Sequence, residues 1–283
     1  MPVEIAAKDT VTMEFADVKR TFMDSMEKGD YAGPKGRGGP MGRKFRSWNY
    51  EPDQHDRFIG ASPNETMGWL KTGFFSPAFT LKAPDAPSAR KRNRARYTED
   101  DGDLDIGRVL DREDRIFLKR GKVERSQGLS IEVIMCFSAR VKAPVLAEYG
   151  AWVTSLIRSY EERGYDLEVA VASHSRGLRA SAFDKTESAR IVVKRPNEIN
   201  DFTSWSVLFA PSGFRTLVFT ALAMCAEQLG DEAAGHLGSP LNATGWSVTQ
   251  EGDKVTICSY SSESDPANVK RELDRSAKEA GIL

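Results

Sequence analysis

Two short stretches of this chain bring together residue types that could do chemistry. The segment 129–142, LSIEVIMCFSARVK, runs from an apolar strand-like stretch into Ser138, Ala139 and Arg140. The segment 167–175, LEVAVASHS, does the same and finishes in Ser173, His174 and Ser175. A hydroxyl beside an imidazole is the raw material of nucleophilic catalysis, provided the imidazole reaches the serine and a third group orients it. Ser138 and His174 are that pair, and Asp184 is available as the third group. No G-x-S-x-G elbow surrounds the serine, so a hydrolase is an alternative and no catalytic residue is assigned. The same turns could serve binding instead: Arg140 offers a fork for a carboxylate or phosphate, with His174 beside it. Ser138, Arg140 and His174 are therefore the candidate ligand or partner-binding residues.

A second chemistry lies in the basic loops. Arg90, Lys91, Arg92, Arg94 and Arg96 put five cations into the seven residues RKRNRAR. Such a run can neutralise phosphates and give salt-dependent nucleic-acid binding. The Gly- and Pro-rich loop at 33–46 adds Arg37, Arg43 and Lys44, with Phe45, Trp48 and Tyr50 nearby for base stacking. It is no phosphate-cradling Walker loop, because Gly39 and Pro40 stand where Lys and Ser or Thr are required. The basic run is followed at once by EDDGDLD, whose five carboxylates would partly neutralise it. Asp101, Asp103 and Asp105 have the opening spacing of a calcium loop. Ile106 and Arg112 replace the Gly and Glu that such a loop needs. His55 and His236 have no partners at metal-ligand spacing, so neither a metal nor another cofactor is expected.

Composition bounds the rest. Across 283 residues, 40 basic and 41 acidic side chains nearly cancel, so any electrostatic partner must be met by a local cluster. The 40% hydrophobic share is enough for a substantial core. Cys136, Cys225 and Cys258 sit singly in apolar runs, which points to a reducing environment. No stretch reads as a signal peptide or membrane span, so a cytoplasmic protein is expected, or a virion component if the chain is phage-encoded.

These residues must be held by regular elements. Residues 13–28 carry apolar side chains at helical spacing, and Ser62-Pro63-Asn64-Glu65 reads as a capped helix start. Beyond 127, strands and helices alternate: strand 129–137, helix 144–163 with Val145, Tyr149, Trp152, Leu156 and Tyr160 on one stripe, then strands at 167–172 and 191–194. A helix at 212–229, a strand at 254–260 and a helix opened by Asp265-Pro266 complete the pattern. It predicts an α/β protein with a Rossmann-like, mainly parallel sheet and helices on both faces. The division expected is a helical and loop region at 1–126 ahead of an α/β domain at 127–283.

The run IEVIMCFSARVKAPVLAEYGAWVTSLIRSYEERGYDLEVAVAS resembles the opening of the von Willebrand factor A fold, as does the ESARIVVKRP that follows. In that family the first strand ends in an acidic-Ser-Ser metal motif, a long helix follows, and the next two strands are antiparallel. The resemblance spans roughly 128–283 and implies that ESARIVVK is an antiparallel edge strand. Aligning the motif puts Cys136 at the aspartate, Ser138 at the first serine and Arg140 at the second. A thiol and a guanidinium are poor ligands for a hard cation, so the motif is degenerate and no metal is expected. Segments such as SGFRTLVFTALA and RELDRSAKEAGIL also resemble proteins of tailed phages and actinobacterial genomes. The implied function is non-enzymatic: a protein-interaction or self-assembly module, with nucleic-acid binding as the alternative.

Overall fold

The structure is a computed structural model that describes residues 9–28, 63–73, 96–98, 103–104, 117–119, 127–137, 141, 143–176, 186–198, 205–229, 239–240, 245–261 and 265–283. Its centre is strand β5 (Gly128–Phe137), whose side chains alternate in environment. Leu129, Ile131, Val133, Met135 and Phe137 enter the main core, while Ser130, Glu132, Ile134 and Cys136 face the other way. Helix α3 (Ala143–Glu162) packs on the first face. The stripe read from its sequence, Val145, Tyr149, Trp152, Leu156 and Tyr160, is buried throughout. The helix ends at Gly164, whose φ of 87° is the left-handed stop that glycine supplies without strain.

Strand β6 (Asp166–Arg176) returns parallel to β5, and β7 (Thr186–Lys194) turns back antiparallel to β6. On the other side β10 (Lys254–Ser261) lies parallel to β5, and β9 (Gly245–Glu251) forms an antiparallel hairpin with β10. The order along the sheet is β1-β7-β6-β5-β10-β9, where β1 is Asp9–Glu14, running parallel to β7. A short strand β8 (Ser239–Pro240) pairs with the end of β6. The chain is thus a mostly parallel, mixed sheet flanked by helices, a Rossmann-like α/β architecture. A separate antiparallel sheet joins β2 (Arg96–Thr98), β4 (Phe117–Lys119) and β3 (Asp103–Leu104).

Six described strands escape the sequence reading, β1, β8 and β9 of the large sheet and β2, β3 and β4 of the small one, and β7 is internal where an edge strand was expected, because β1 pairs along its outer side. The sheet therefore draws a strand from before residue 127. Helix α1 (Phe15–Glu27) follows β1 directly and buries Phe15, Val18 and Phe22 in the same core. Helix α2 (Pro63–Thr72) is tied to the later half of the chain by Thr216, whose hydroxyl donates to Thr66 Oγ1 at 2.9 Å, and by Ser212, which donates to Glu65.

The expected helix at 212–229 is not uniform. Pro211–Gly213 opens it, Phe214–Val218 is a π-helical turn, and α4 (Phe219–Gln228) continues. The wider turn carries Arg215 inward, where its guanidinium lies 5.5 Å from the Phe214 ring and 5.2 Å from the Phe219 ring. Burial pulls its pKa down to about 9. Helix α5 (Pro266–Glu279) closes the chain, capped by Asp265, which accepts from Ala267 N at 3.0 Å. Helices α1 to α5 all place side chains in one continuous core, so the apolar cover expected on both faces is complete on the face of Ile131 and Val133. The described apolar cluster on the other face is small: Ile134, Cys136 and Ala172, with Cys258 against them.

Close packing fixes the approach of the π-helical segment. A Cβ on Gly213 would lie 1.8 Å from the Val207 carbonyl oxygen, a backbone atom with no rotamer to escape by. Gly68 in α2 has open space at the same position. Gly213→Ala is expected to cost about 2–3 kcal/mol in urea unfolding. Gly68→Ala should stabilise by about 0.5–1 kcal/mol, since only chain entropy changes there.

Candidate functional site

The candidate site lies where β5 and β6 part. Their parallel ladder runs from Gly128 opposite Asp166 to Ile134 opposite Ala172 and stops there, although both strands continue. β5 stays paired with β10 as far as Phe137 opposite Ser261. The freed edge of β6 is taken up further on by β8, at Ser175 and Arg176. Between these points a side chain replaces the backbone ladder: Cys136 Sγ accepts from His174 N at 3.3 Å and donates to His174 O at 3.5 Å. The Ile134 carbonyl at the parting accepts from Tyr149 of α3 at 3.3 Å and from Ser259 of β10 at 2.9 Å. The Ile134 carbonyl and the His174 amide and carbonyl thus each keep a partner at the split.

This geometry fixes the state of both titratable groups. Burial pushes the Cys136 thiol up to about 12, outweighing the help of the His174 main-chain bond. At neutral pH it is a protonated thiol and a poor nucleophile. Burial also lowers the His174 pKa from its ordinary 6.5, against a smaller raising effect of the Glu132 carboxylate. The His174 Nδ1 is buried with no hydrogen-bond partner among the described residues.

The Ser-His-Ser run does not form a turn at the end of β6, as its sequence implied. β6 continues to Arg176, and His174 lies opposite Ser188 of β7 within an antiparallel ladder. Ser173 and Ser175 are buried, and they alternate with His174, which keeps the face of Cys136. Ser138 and Arg140, like Asp184, lie outside the described residues. So do Arg90, Lys91, Arg92, Arg94 and the loop at 33–46; Arg96 is described only as the first residue of β2.

A charged belt on the same face went unread. Arg190 of β7 reaches across β6: its Nη2 meets Glu168 at 2.6 Å and its Nε lies 3.4 Å from Glu132 of β5. Lys254 of β10 meets the other oxygen of Glu132 at 2.7 Å. Two carboxylates on the central strands β6 and β5 are thus flanked by a cation on each side, over four neighbouring strands. The sequence signal was an isolated charge between apolar strand residues, at positions that face away from the core. Among the described residues, no group of His, Cys, Asp and Glu is arranged to hold a metal ion. No described helix is long and apolar enough to cross a membrane.

The fold and this split sheet define an α/β protein of Rossmann-like type. A family model matches residues 7–282, and the chain belongs to that family, described as a domain of unknown function, DUF7192. Searches of curated proteins and of solved structures give no match.

Two measurements test the site. A histidine whose folded pKa lies below its unfolded value holds fewer protons when folded, so its full contribution is present above 6.5 and is lost as pH falls through the folded pKa. Unfolding free energy is expected to drop as pH falls below 6.5, and the drop should be smaller in His174→Asn. Arg190→Met leaves Glu132 and Glu168 without their shared cation and is expected to cost ~2 kcal/mol in denaturant unfolding. Adding Glu168→Gln to that variant should recover part of the loss, as a double-mutant cycle would measure.

Proposed function

We propose that this chain is a non-enzymatic binding or assembly protein built on a von Willebrand factor A-like domain that works without a metal. The order β5, α3, β6 and then antiparallel β7 is the order that resemblance implies. The strand β1 outside β7 is an addition to it. The observation that carries the reading is the state of Cys136, at the position of the family's aspartate. Its thiol is protonated and occupied by the main chain of His174, so the residue closes the sheet where a ligand would be held. His174, its pKa lowered by burial, is a weaker base toward a serine than an ordinary imidazole. What remains is recognition: Arg140, three residues after β5 in the sequence, grips an anionic group of a partner, as suits an assembly role among phage proteins.

Inorganic phosphate is the simplest probe of that grip. It is expected to raise the melting temperature of the full chain, and Arg140→Ala should abolish the rise while leaving the unliganded melting temperature near wild type. Chromogenic ester substrates should show no turnover. Turnover lost in both Ser138→Ala and His174→Ala would sink this reading in favour of a hydrolase. DNA affinity with a steep salt slope, flattened by changing Arg90, Lys91 and Arg92 to Ala, would instead favour nucleic-acid binding.

A further inference from the structure

The two edges of the large sheet are finished differently. At one edge, the Ser276 hydroxyl of α5 accepts from Val248 N at 2.8 Å and donates to Val248 O at 3.2 Å, in the middle of β9. A strand residue whose amide and carbonyl are both held by a side chain cannot offer them to another strand. α5 therefore covers that edge as well as the core beside it.

The other edge has no such device among the described residues. β1 runs in unbroken register with β7, from Asp9 opposite Glu187 to Glu14 opposite Val192. It contains neither proline nor lysine and no bulge, which are the usual means of blunting an edge. No described strand pairs along its outer side. Thr10 and Thr12 stay exposed, while Val11 and Met13 are buried under the helices.

We propose that β1 is a strand-addition edge and that its partner is a second copy of this chain, the two β1 strands running antiparallel about a two-fold axis. The pattern of the strand selects the register. Side chains alternate between faces, so a pairing must match odd positions with odd and even with even, or apolar residues of one copy would meet the threonines of the other. With Thr12 opposite Thr12 on the axis, Val11 faces Met13 of the other copy twice, both on the core side. Thr10 then faces Glu14 twice on the outer side. Each position meets its own kind and no like charges oppose. Moving the axis to Val11 would set Asp9 against Met13 on the core side. The surface is separate from the region of Cys136 and His174, and the inference does not rest on the function proposed for that region.

Sedimentation of the full chain tests it. The wild type is expected to dimerise with rising concentration, up to about 100 μM. Thr12→Lys places two ammonium groups against each other at the axis and should weaken association several-fold. Thr10→Lys adds the same charge at an equally exposed position, but opposite Glu14, and should leave the dimer as tight or tighter. Mixing Thr12→Lys with Thr12→Glu should restore pairing as a heterodimer. A wild type that stays monomeric over that range overturns the proposal. So does a dimer indifferent to Thr12→Lys, or one weakened equally by both lysine substitutions.

Discussion

The register of β5 is the constraint on which the rest of this molecule depends. Its odd positions fill the core under α3, and its even positions carry Glu132, Ile134 and Cys136 on the opposite side. A slip of one residue would drive Glu132 into the apolar layer and withdraw Ile131 and Val133 from it, an exchange worth several kcal/mol in the wrong direction. Everything nearby is cut to that register. Tyr149 reaches the carbonyls of Ile134 and Ile257, so α3 is anchored over the junction of β5 and β10. The Arg190 guanidinium finds Glu132 and Glu168 because both even positions rise on its own side.

The same register explains why the strands part where they do. Beyond Ile134 the backbone of β5 follows β10, and the gap to β6 is bridged by a thiol. A sulfur is a weak donor and acceptor, so this is a soft seam between two well-bonded halves of the sheet. Its burial keeps the group neutral, and neutrality keeps the seam closed. Chemistry that needs a thiolate or an imidazolium there must first overcome that burial.

Much of this was legible in the sequence where a pattern was long and strict. β5, α3 and α5 announced themselves because their apolar positions repeat over several turns or alternations, and because Pro266 and Gly164 mark the ends. β1 and β9 did not. DTVTME and GWSVTQE each contribute two buried apolar side chains, too few to separate a strand from a polar loop. The π-helical turn at Phe214–Val218 was invisible because its apolar spacing over 212–229 fits an ordinary helix almost as well. At the candidate site the sequence supplied residue types and their places along the chain. It did not supply the partner of Cys136, which is a main-chain group 38 residues away. Nor did it show that Arg190, Glu132 and Glu168 share one face, which depends on how three strands are stacked.

The place of β1 bears on how the chain comes into being. Asp9 finds its sheet partner at Glu187, so this strand emerges from the ribosome about 180 residues before the backbone it pairs with. Met13, Val18 and Phe22 must wait without the layer that buries them, as must Thr66 of α2 for Thr216. Contacts this distant in sequence slow folding, and they expose apolar surface during synthesis. The central β5–α3–β6 unit can assemble locally, but the domain cannot be completed until its second half has been made.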